Sequence, residues 1–462
     1  MEGAAAHVPD GTFQCSKHYG STYMGQKANI LCRQRWRLRL PSKISLRDRD
    51  RMEMVQDAVI VGAGIAGLAT AVALKRVGIQ ALILERSDGL RATGSALTLF
   101  PNAWLALDAL GVSHMLTSFY SSALRGSVTN VATGAVQEIS FVGNNGGPKS
   151  VHRKALLEAL VQELPADSVR FSSKFTAIEM VEQGGTSIPV VHLEDGTTVK
   201  SKVLIGCDGV HSVVAQWLGL SAPFHSGRSS VRGLSVFPQG HGLEQAIKQF
   251  VDVGKRAGFV PLNDKEIYWF LTCPEEKNMQ RDPELIQKEV VEKYAENFPS
   301  LFLEVVRHAD LSTLTWAPLM LRHPWNVIFG NLSKGNVTVA GDAMHPMTPD
   351  LGQGGCSALE DAVVLGRHIG NSFIKNGRFV EEDMALALEG YVKERRWRAA
   401  GLITGSYLSG WIQQSGSNWW MKFLRDAIFY GFLFRKVLNA VVYDCGTLPS
   451  APGEQHSSNK TD

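Results

Sequence analysis

The sequence predicts an α/β fold: a Rossmann-type domain carrying an inserted, mostly antiparallel β-sheet and followed by C-terminal helices. Three observations predict it. Residues 57–61 (DAVIV) are a short apolar run, residues 65–77 have helical spacing, and residues 80–84 (QALIL) are a second apolar run. That is strand, helix, strand, with the two strands parallel. From 169 to 325 the pattern changes to short alternating segments with turn pairs such as Asp195-Gly196, which is antiparallel-sheet grammar. From about 382 to 443 the spacing reads as helical.

The elements follow in order. Residues 1–54 stand apart as a basic extension. Between 17 and 51, ten Lys and Arg residues are opposed only by Asp48 and Asp50. An Arg-rich, acid-poor N-terminus resembles an organelle transit peptide, with a chloroplast as the first destination and mitochondrion or cytoplasm as alternatives. The competing reading is a disordered segment. Residues 101–110 read as a helix ended by Gly111, and 152–164 as another. Residues 225–325 read as the second sheet with one helix near 283–298. Residues 336–340 form a buried strand that runs into a Gly/Pro-rich loop and a helix over 354–371. The expected boundaries are therefore 55–220 and 326–400 for the Rossmann-type domain, 221–325 for the inserted sheet, and 401–462 for the C-terminal helices and tail.

Composition excludes several classes. A formal net charge of +3 is too small to suggest nucleic-acid binding. The cysteines (Cys15, Cys32, Cys207, Cys273, Cys356 and Cys445) are scattered with no C-x-x-C pair. A zinc site or disulfide framework is not expected, and a reducing compartment fits. No run of 18 uncharged apolar residues occurs, and the nearest stretch, 427–443, is broken by Arg435 and Lys436. The aromatic load of the C-terminus, interspersed with Lys and Arg, is compatible with weak peripheral contact with a membrane. Helices packed on the first domain are the commoner explanation.

Three motifs carry chemistry. The first is Gly62-Ala63-Gly64-Ile65-Ala66-Gly67, directly after the first strand. Gly62 permits the tight turn, Gly64 lets backbone approach a pyrophosphate, and Gly67 lets helix and strand pack closely. The helix N-terminus adds free N–H groups and positive partial charge. Glu85 ends the second strand, where a carboxylate can accept ribose hydroxyls and would repel a 2′-phosphate. The second motif, Cys207-Asp208-Gly209, follows an apolar strand and by itself says only "strand, then turn". The third is Gly341-Asp342-Ala343-Met344-His345-Pro346, then Pro349 and Gly352-Gln353-Gly354-Gly355. A strand delivers one carboxylate, and a glycine-rich loop then opens a helix whose N-terminus suits negative charge.

In this order and spacing the motifs resemble the class A FAD-dependent monooxygenases, the family of p-hydroxybenzoate hydroxylase, salicylate hydroxylase and zeaxanthin epoxidase. Leu359-Glu360-Asp361-Ala362, Pro101-Asn102-Ala103 and Val151-His152-Arg153 match as well. The likeness runs from about 57 to 400 and is nearest to the plant monooxygenases. It implies that Gly62, Ala63, Gly64, Gly67 and Glu85 hold the ADP half of FAD. Arg91 lies near the pyrophosphate and Arg153 contacts FAD. Asp208 sits in a motif associated with both FAD and nicotinamide. Asp342 bonds the ribityl chain, and Pro349, Gly352, Gly354 and Gly355 border the isoalloxazine ring. Two residues depart from the pattern. Ala215 stands where an Arg is frequent, and Asp350 is a carboxylate that would repel reduced flavin unless it faces water.

The resemblance further implies NADPH or NADH as co-substrate, O2, and a flavin C4a-hydroperoxide that hydroxylates or epoxidises a small aromatic or isoprenoid substrate. The inserted sheet is then the substrate domain and the lid over the flavin. No catalytic base stands out: His225, His323 and Arg232 lie in that sheet, each more readily explained by packing or exposure. No metal site is expected. The alternatives are a flavoprotein reductase or oxidase on the same scaffold and a non-enzymatic relative that keeps only the nucleotide fold.

Overall fold

The computed structural model describes residues 55–91, 95–141, 146–276, 282–414 and 442–450. The basic extension 1–54 and residues 415–441 of the expected C-terminal helices lie outside the described residues. The first sheet is centred on Gln56–Val61, which pairs in parallel with Ala81–Leu84 on one side and Thr198–Gly206 on the other. Val169–Arg170 and Val337–Val339 extend it in parallel. The hairpin through Asp195-Gly196 joins Thr186–Leu193 to Thr198–Gly206. Parallel strands covered on both faces need near-continuous apolar sequence, and Ala58, Val59, Ile60 and Val61 are all buried.

Helix Ile65–Arg76 buries its first ten residues between this sheet and the helix Gly354–Asn376. The two helices approach closely because Gly366 and Gly370 lack side chains. A Cβ there would stand 2.6 Å from Ala73 and 2.7 Å from Val77.

The second sheet has seven strands, in the order Thr315–Leu321, Phe224–Val236, Glu266–Pro274, Lys255–Pro261, Ala246–Asp252, Arg125–Asn130 and Val136–Ser140. The last two come from well before the expected insert at 221–325, so that boundary is corrected. The physical reason is an edge: Ala246–Asp252 would expose unpaired N–H and C=O groups, and Arg125–Asn130 pairs with it in parallel. The expected helix over 283–298 is shorter, Pro283–Glu289, and continues as a π-helical turn, Val290–Tyr294. At the C-terminal side a single 34-residue helix, Glu381–Gln414, runs through the boundary placed at 400.

Strand alternation divides this sheet into two faces. Val231, Phe250, Ala257, Trp269 and Leu271 point one way, into a core with Ile286, Val290, Phe302 and Val305 from the covering helices and Phe298 from the turn between them. Ser230, Arg232, Gln249, Arg256, Tyr268, Phe270 and Thr272 point the other way, into a cavity facing the first domain. Most of the sheet's aromatic mass is therefore core, and Tyr268, Phe270 and Phe259 are the rings of its strands that reach the cavity wall.

Candidate functional site

The glycine motif does what its spacing demands. Gly62 has φ +102°, and a Cβ on it would lie 2.4 Å from the Cys207 carbonyl oxygen. A Cβ on Gly67 would lie 1.9 Å from the Gly62 carbonyl oxygen. Gly64 meets nothing within 4 Å, so its backbone faces open space, as approach to a phosphate requires. Glu85 is buried behind the turn. Its Oε2 accepts the Ala63 N–H at 2.8 Å and its Oε1 accepts the Ser87 N–H at 2.9 Å. Each oxygen keeps a second lone pair for a ribose hydroxyl. Arg91 lies 3.6 Å from Glu85 and is half exposed.

Beside this turn a cavity of about 470 Å³ opens between the two sheets. Gly64, Arg153, Asp342, Pro349, Gly352, Gly354 and Gly355 line it, together with the face of the second sheet. Gly62, Ala63, Gly67, Glu85 and Arg91 stay at the nucleotide end outside the cavity wall. Gly354 begins the helix Gly354–Asn376, and a Cβ there would meet nothing within 4 Å. The first turn's free N–H groups thus sit at the cavity, suited to an anion. Arg153 is largely buried, its Nε has no protein partner, and burial pushes its pKa down against the opposing pull of Asp342. An orphaned buried donor beside an open phosphate turn fits a bound dinucleotide.

Asp208 is placed differently. Its Oδ2 accepts the Val213 and Val214 N–H groups at 2.7 and 3.4 Å, opening the short helix Val213–Trp217, and burial raises its pKa. Gly209, its neighbour, lines the cavity instead. Ala215 is buried, and its N–H is taken by Ser212 Oγ at 2.9 Å. An Arg side chain would have to enter the core there.

Asp350 does not face water. Its side chain is 1% exposed, and it accepts two hydrogen bonds from Arg228, at 3.0 and 2.7 Å. Arg256 adds a bond to the Asp350 main-chain oxygen at 3.0 Å and an ion pair to Oδ1 at 3.4 Å. The carboxylate is thus more than neutralised.

Beneath the glycine-rich loop that follows Pro346 lies a second ionic network. Asp361 Oδ2 accepts the Gly341 N–H at 2.8 Å and contacts His345 Nε2 at 2.6 Å, while Oδ1 accepts from Arg395 at 2.7 Å. Glu360 takes Arg395 and Arg398, and Asn102 bridges Glu360 to Gln353. Asp361, Glu360, Arg395 and His345 are all fully buried. Burial alone would raise the Asp361 pKa, but His345 and Arg395 hold it at about 2. Asp361 in turn keeps His345 above its ordinary value, against burial. The network fixes the turn that carries Asp342.

The three weak candidates for chemistry separate. His225 is exposed and paired with Glu275 at 3.2 Å, and His323 stacks between Phe224 and Trp325. Arg232 lines the cavity, half buried; its one hydrogen bond, to Ser230 Oγ at 3.4 Å, leaves it without an ion-pair partner among the described residues. No histidine lines the cavity among the described residues. Sequence reasoning missed Val128, Ile139, Gln249, Arg256 and Ser409 as cavity residues. Period-2 alternation over 246–252 and 255–261 was the available signal for Gln249 and Arg256. Nothing local marks Val128, whose position depends on pairing with a strand more than a hundred residues later.

Comparison with known proteins agrees with this geometry. Residues 55–406 match the FAD binding domain family. Monooxygenase 2 of Arabidopsis thaliana is 42% identical over 404 residues, 85% of this chain and 98% of that protein. Monooxygenase 1 of the same plant is 36% identical, covering 84% and 98%. Among solved structures, Klebsiella pneumoniae HpxO complexed with FAD and uric acid superposes with a TM-score of 0.71 at 25% identity, covering 86% of this chain and 97% of that one. A salicylate hydroxylase substrate complex (TM-score 0.64, 19% identity, 86% and 100% coverage) shares the fold.

Proposed function

The chain belongs to the FAD binding domain family and is an FAD-dependent monooxygenase of class A, and on that premise we propose that it uses NADPH or NADH to place one atom of O2 on a small, flat aromatic compound bearing an acidic group. The single observation that carries the substrate class is Arg232: a guanidinium lining the cavity with no carboxylate of its own. A buried or half-buried cation without a partner is satisfied by an anionic ligand. Phe270 and Tyr268 supply flat apolar walls beside it. Burial raises the Tyr268 pKa, so its phenol stays protonated and can donate a hydrogen bond. The uric acid of the HpxO complex is a flat, acidic ligand of this kind. Arg232 favours such a compound over an apolar isoprenoid, whose epoxidation is the weaker reading.

Bound FAD supplies hydride acceptance and oxygen activation. The chain's own groups do the rest. Glu85 and the glycine turn hold the adenosine end, Arg153 and Asp342 the middle, and residues 349–355 the ring. The second sheet closes over the reacting region and excludes water, which protects oxygen transfer from wasteful peroxide release. We also propose plastid import directed by residues 1–54, tested by where a fluorescent fusion of those residues accumulates. Trp411, Leu408 and Tyr407 are exposed on the long helix and support weak peripheral membrane contact, tested by vesicle co-sedimentation. No helix among the described residues is long and apolar enough to cross a membrane.

The test of the reaction is a panel of aromatic acids, phenols and isoprenoids scored for stimulated NADPH and NADH oxidation under labelled dioxygen. One labelled oxygen atom in an aromatic acid or phenol product is the expected result. Peroxide equal to the reductant consumed, with no oxygenated product from any compound, would overturn it.

A further inference from the structure

The Arg228, Asp350 and Arg256 cluster contains two guanidiniums and one carboxylate, with side chains 13%, 9% and 1% exposed for Arg228, Arg256 and Asp350. Among the described residues, Asp350 is the one ion-pair partner of either arginine. The remaining contacts of the Arg256 guanidinium carry no formal charge: Gln249 Oε1 at 2.7 Å and the Phe270 ring, whose centroid is 6.0 Å away. The long helix seals the cluster. A Cβ on Gly410 would lie 2.5 Å from both the Arg228 guanidinium and an Asp350 oxygen. One positive charge is therefore left over in a dry place, and such a charge is costly unless a counter-charge meets it. Asp350 and Arg256 both line the cavity, and Arg256 is bonded to the main chain of residue 350, so the surplus charge is fixed to the loop that borders the flavin.

We propose that this cluster is an electrostatic element of the flavin site, in which the surplus charge favours reduced over oxidised FAD and Asp350 limits the size of that preference. Two electrons and one proton added to oxidised flavin leave one new negative charge, which is the counter-charge the cluster lacks. The inference rests on FAD occupying this cavity and on neither the substrate nor the nicotinamide assigned above.

The experiment is a substrate-free reductive titration of purified holoenzyme with dithionite against a reference dye, alongside FAD affinity from flavin fluorescence. Arg256→Gln removes the surplus charge while Asp350 keeps Arg228; Asp350→Asn raises the surplus to two. Arg256→Gln is expected to weaken reduced relative to oxidised FAD by about tenfold, and Asp350→Asn to strengthen it by a similar factor. A tenfold change in that ratio corresponds to about 30 mV for a two-electron couple. Arg256→Lys, which keeps the charge and loses the fork, should stay within about twofold of wild type. Should Asp350→Asn fail to fold, the Gln and Lys variants at Arg256 decide the matter between them. Equal potentials in both Arg256 variants and wild type, or a shift shared by Gln and Lys, overturns the proposal and assigns the cluster to packing. Protein that retains no flavin at all, wild type included, overturns the cofactor reading instead. A change confined to KM for an anionic substrate, with unchanged potential, also overturns it.

Discussion

The glycine turn proposed to hold the nucleotide and the sheet face proposed to meet the substrate are built by different rules. At the first, backbone makes the site: Gly62, Gly64 and Gly67 matter for the atoms they lack, and Glu85 is tied to two main-chain N–H groups. At the second, side chains on one face of a sheet make the site, and the backbone beneath would accept many others. A ligand shared by a whole family can be held by geometry that tolerates no side chain. A ligand particular to one protein is chosen by residues that can be exchanged without disturbing the fold. The ionic network at Asp361 stands between, since side chains there hold a backbone turn.

Substitutions sharpen the contrast, beginning with the most damaging. Gly67→Ala places a methyl group where 1.9 Å separates it from a carbonyl oxygen, so helix and strand must part. The expected cost exceeds about 3 kcal/mol, read as a lowered Tm and colourless protein. A yellow, normally stable variant would break the distinction between the two ends. Asp361→Asn leaves Arg395 and His345 short of a counter-charge at a fully buried position, at a cost of about 3–5 kcal/mol.

The same residue predicts a pH dependence. The folded pKa of Asp361, about 2, lies below its ordinary value of ~3.9. Its stabilisation is complete above the unfolded pKa and disappears as pH falls from there through about 2. His345 has the opposite sign: its folded pKa is raised, so its contribution is full below its ordinary value of ~6.5 and fades as pH climbs through the folded value. Denaturant melts from pH 2 to 5 should show a steeper acid loss in wild type than in Asp361→Asn. Parallel curves would remove Asp361 from the explanation.

Effects at the substrate end should be narrower. Arg232→Gln is expected to raise KM for an acidic substrate roughly 10- to 100-fold, the equivalent of about 1.5–3 kcal/mol for a charged hydrogen bond, with Tm and flavin content near wild type. Narrowest in its effect on activity is Gly258→Ala. A Cβ there would stand 2.8 Å from the Lys248 carbonyl oxygen and 3.0 Å from the Phe270 ring, so the neighbouring strand as well as the ring must give. A loss of about 1–3 kcal/mol in stability is expected, with substrate preference altered more than turnover, measured as relative kcat/KM across the panel.

The same contrast governs what could be read without coordinates. Residues 56–85 are legible because each requirement is local: an apolar strand, glycines at fixed offsets, and a carboxylate at the next strand end. The loop at 341–355 is legible for the same reason. Asp350 shows the limit. Its charge in the glycine-rich loop was visible, but its neutralisation was not, because Arg228 and Arg256 arrive from strands that only tertiary pairing brings near. Arg232 was noticed as a cation in the second sheet, yet the face it occupies depends on register, and a one-residue slip would have turned it into the helix-packed core.

The pairing of Arg125–Asn130 with Ala246–Asp252 has a consequence for modularity. A substrate-binding unit that were one continuous insertion could be exchanged between relatives by a single cut and paste. Here the recognition surface is stitched from two stretches of chain, and the intervening nucleotide-binding segment must already be threaded before the stitch closes. Chimeras that transplant 221–325 alone should carry mismatched side chains where Arg125–Asn130 meets Ala246–Asp252, and with them a mismatched cavity wall. Transfer of substrate preference therefore requires residues 125–140 to travel with them.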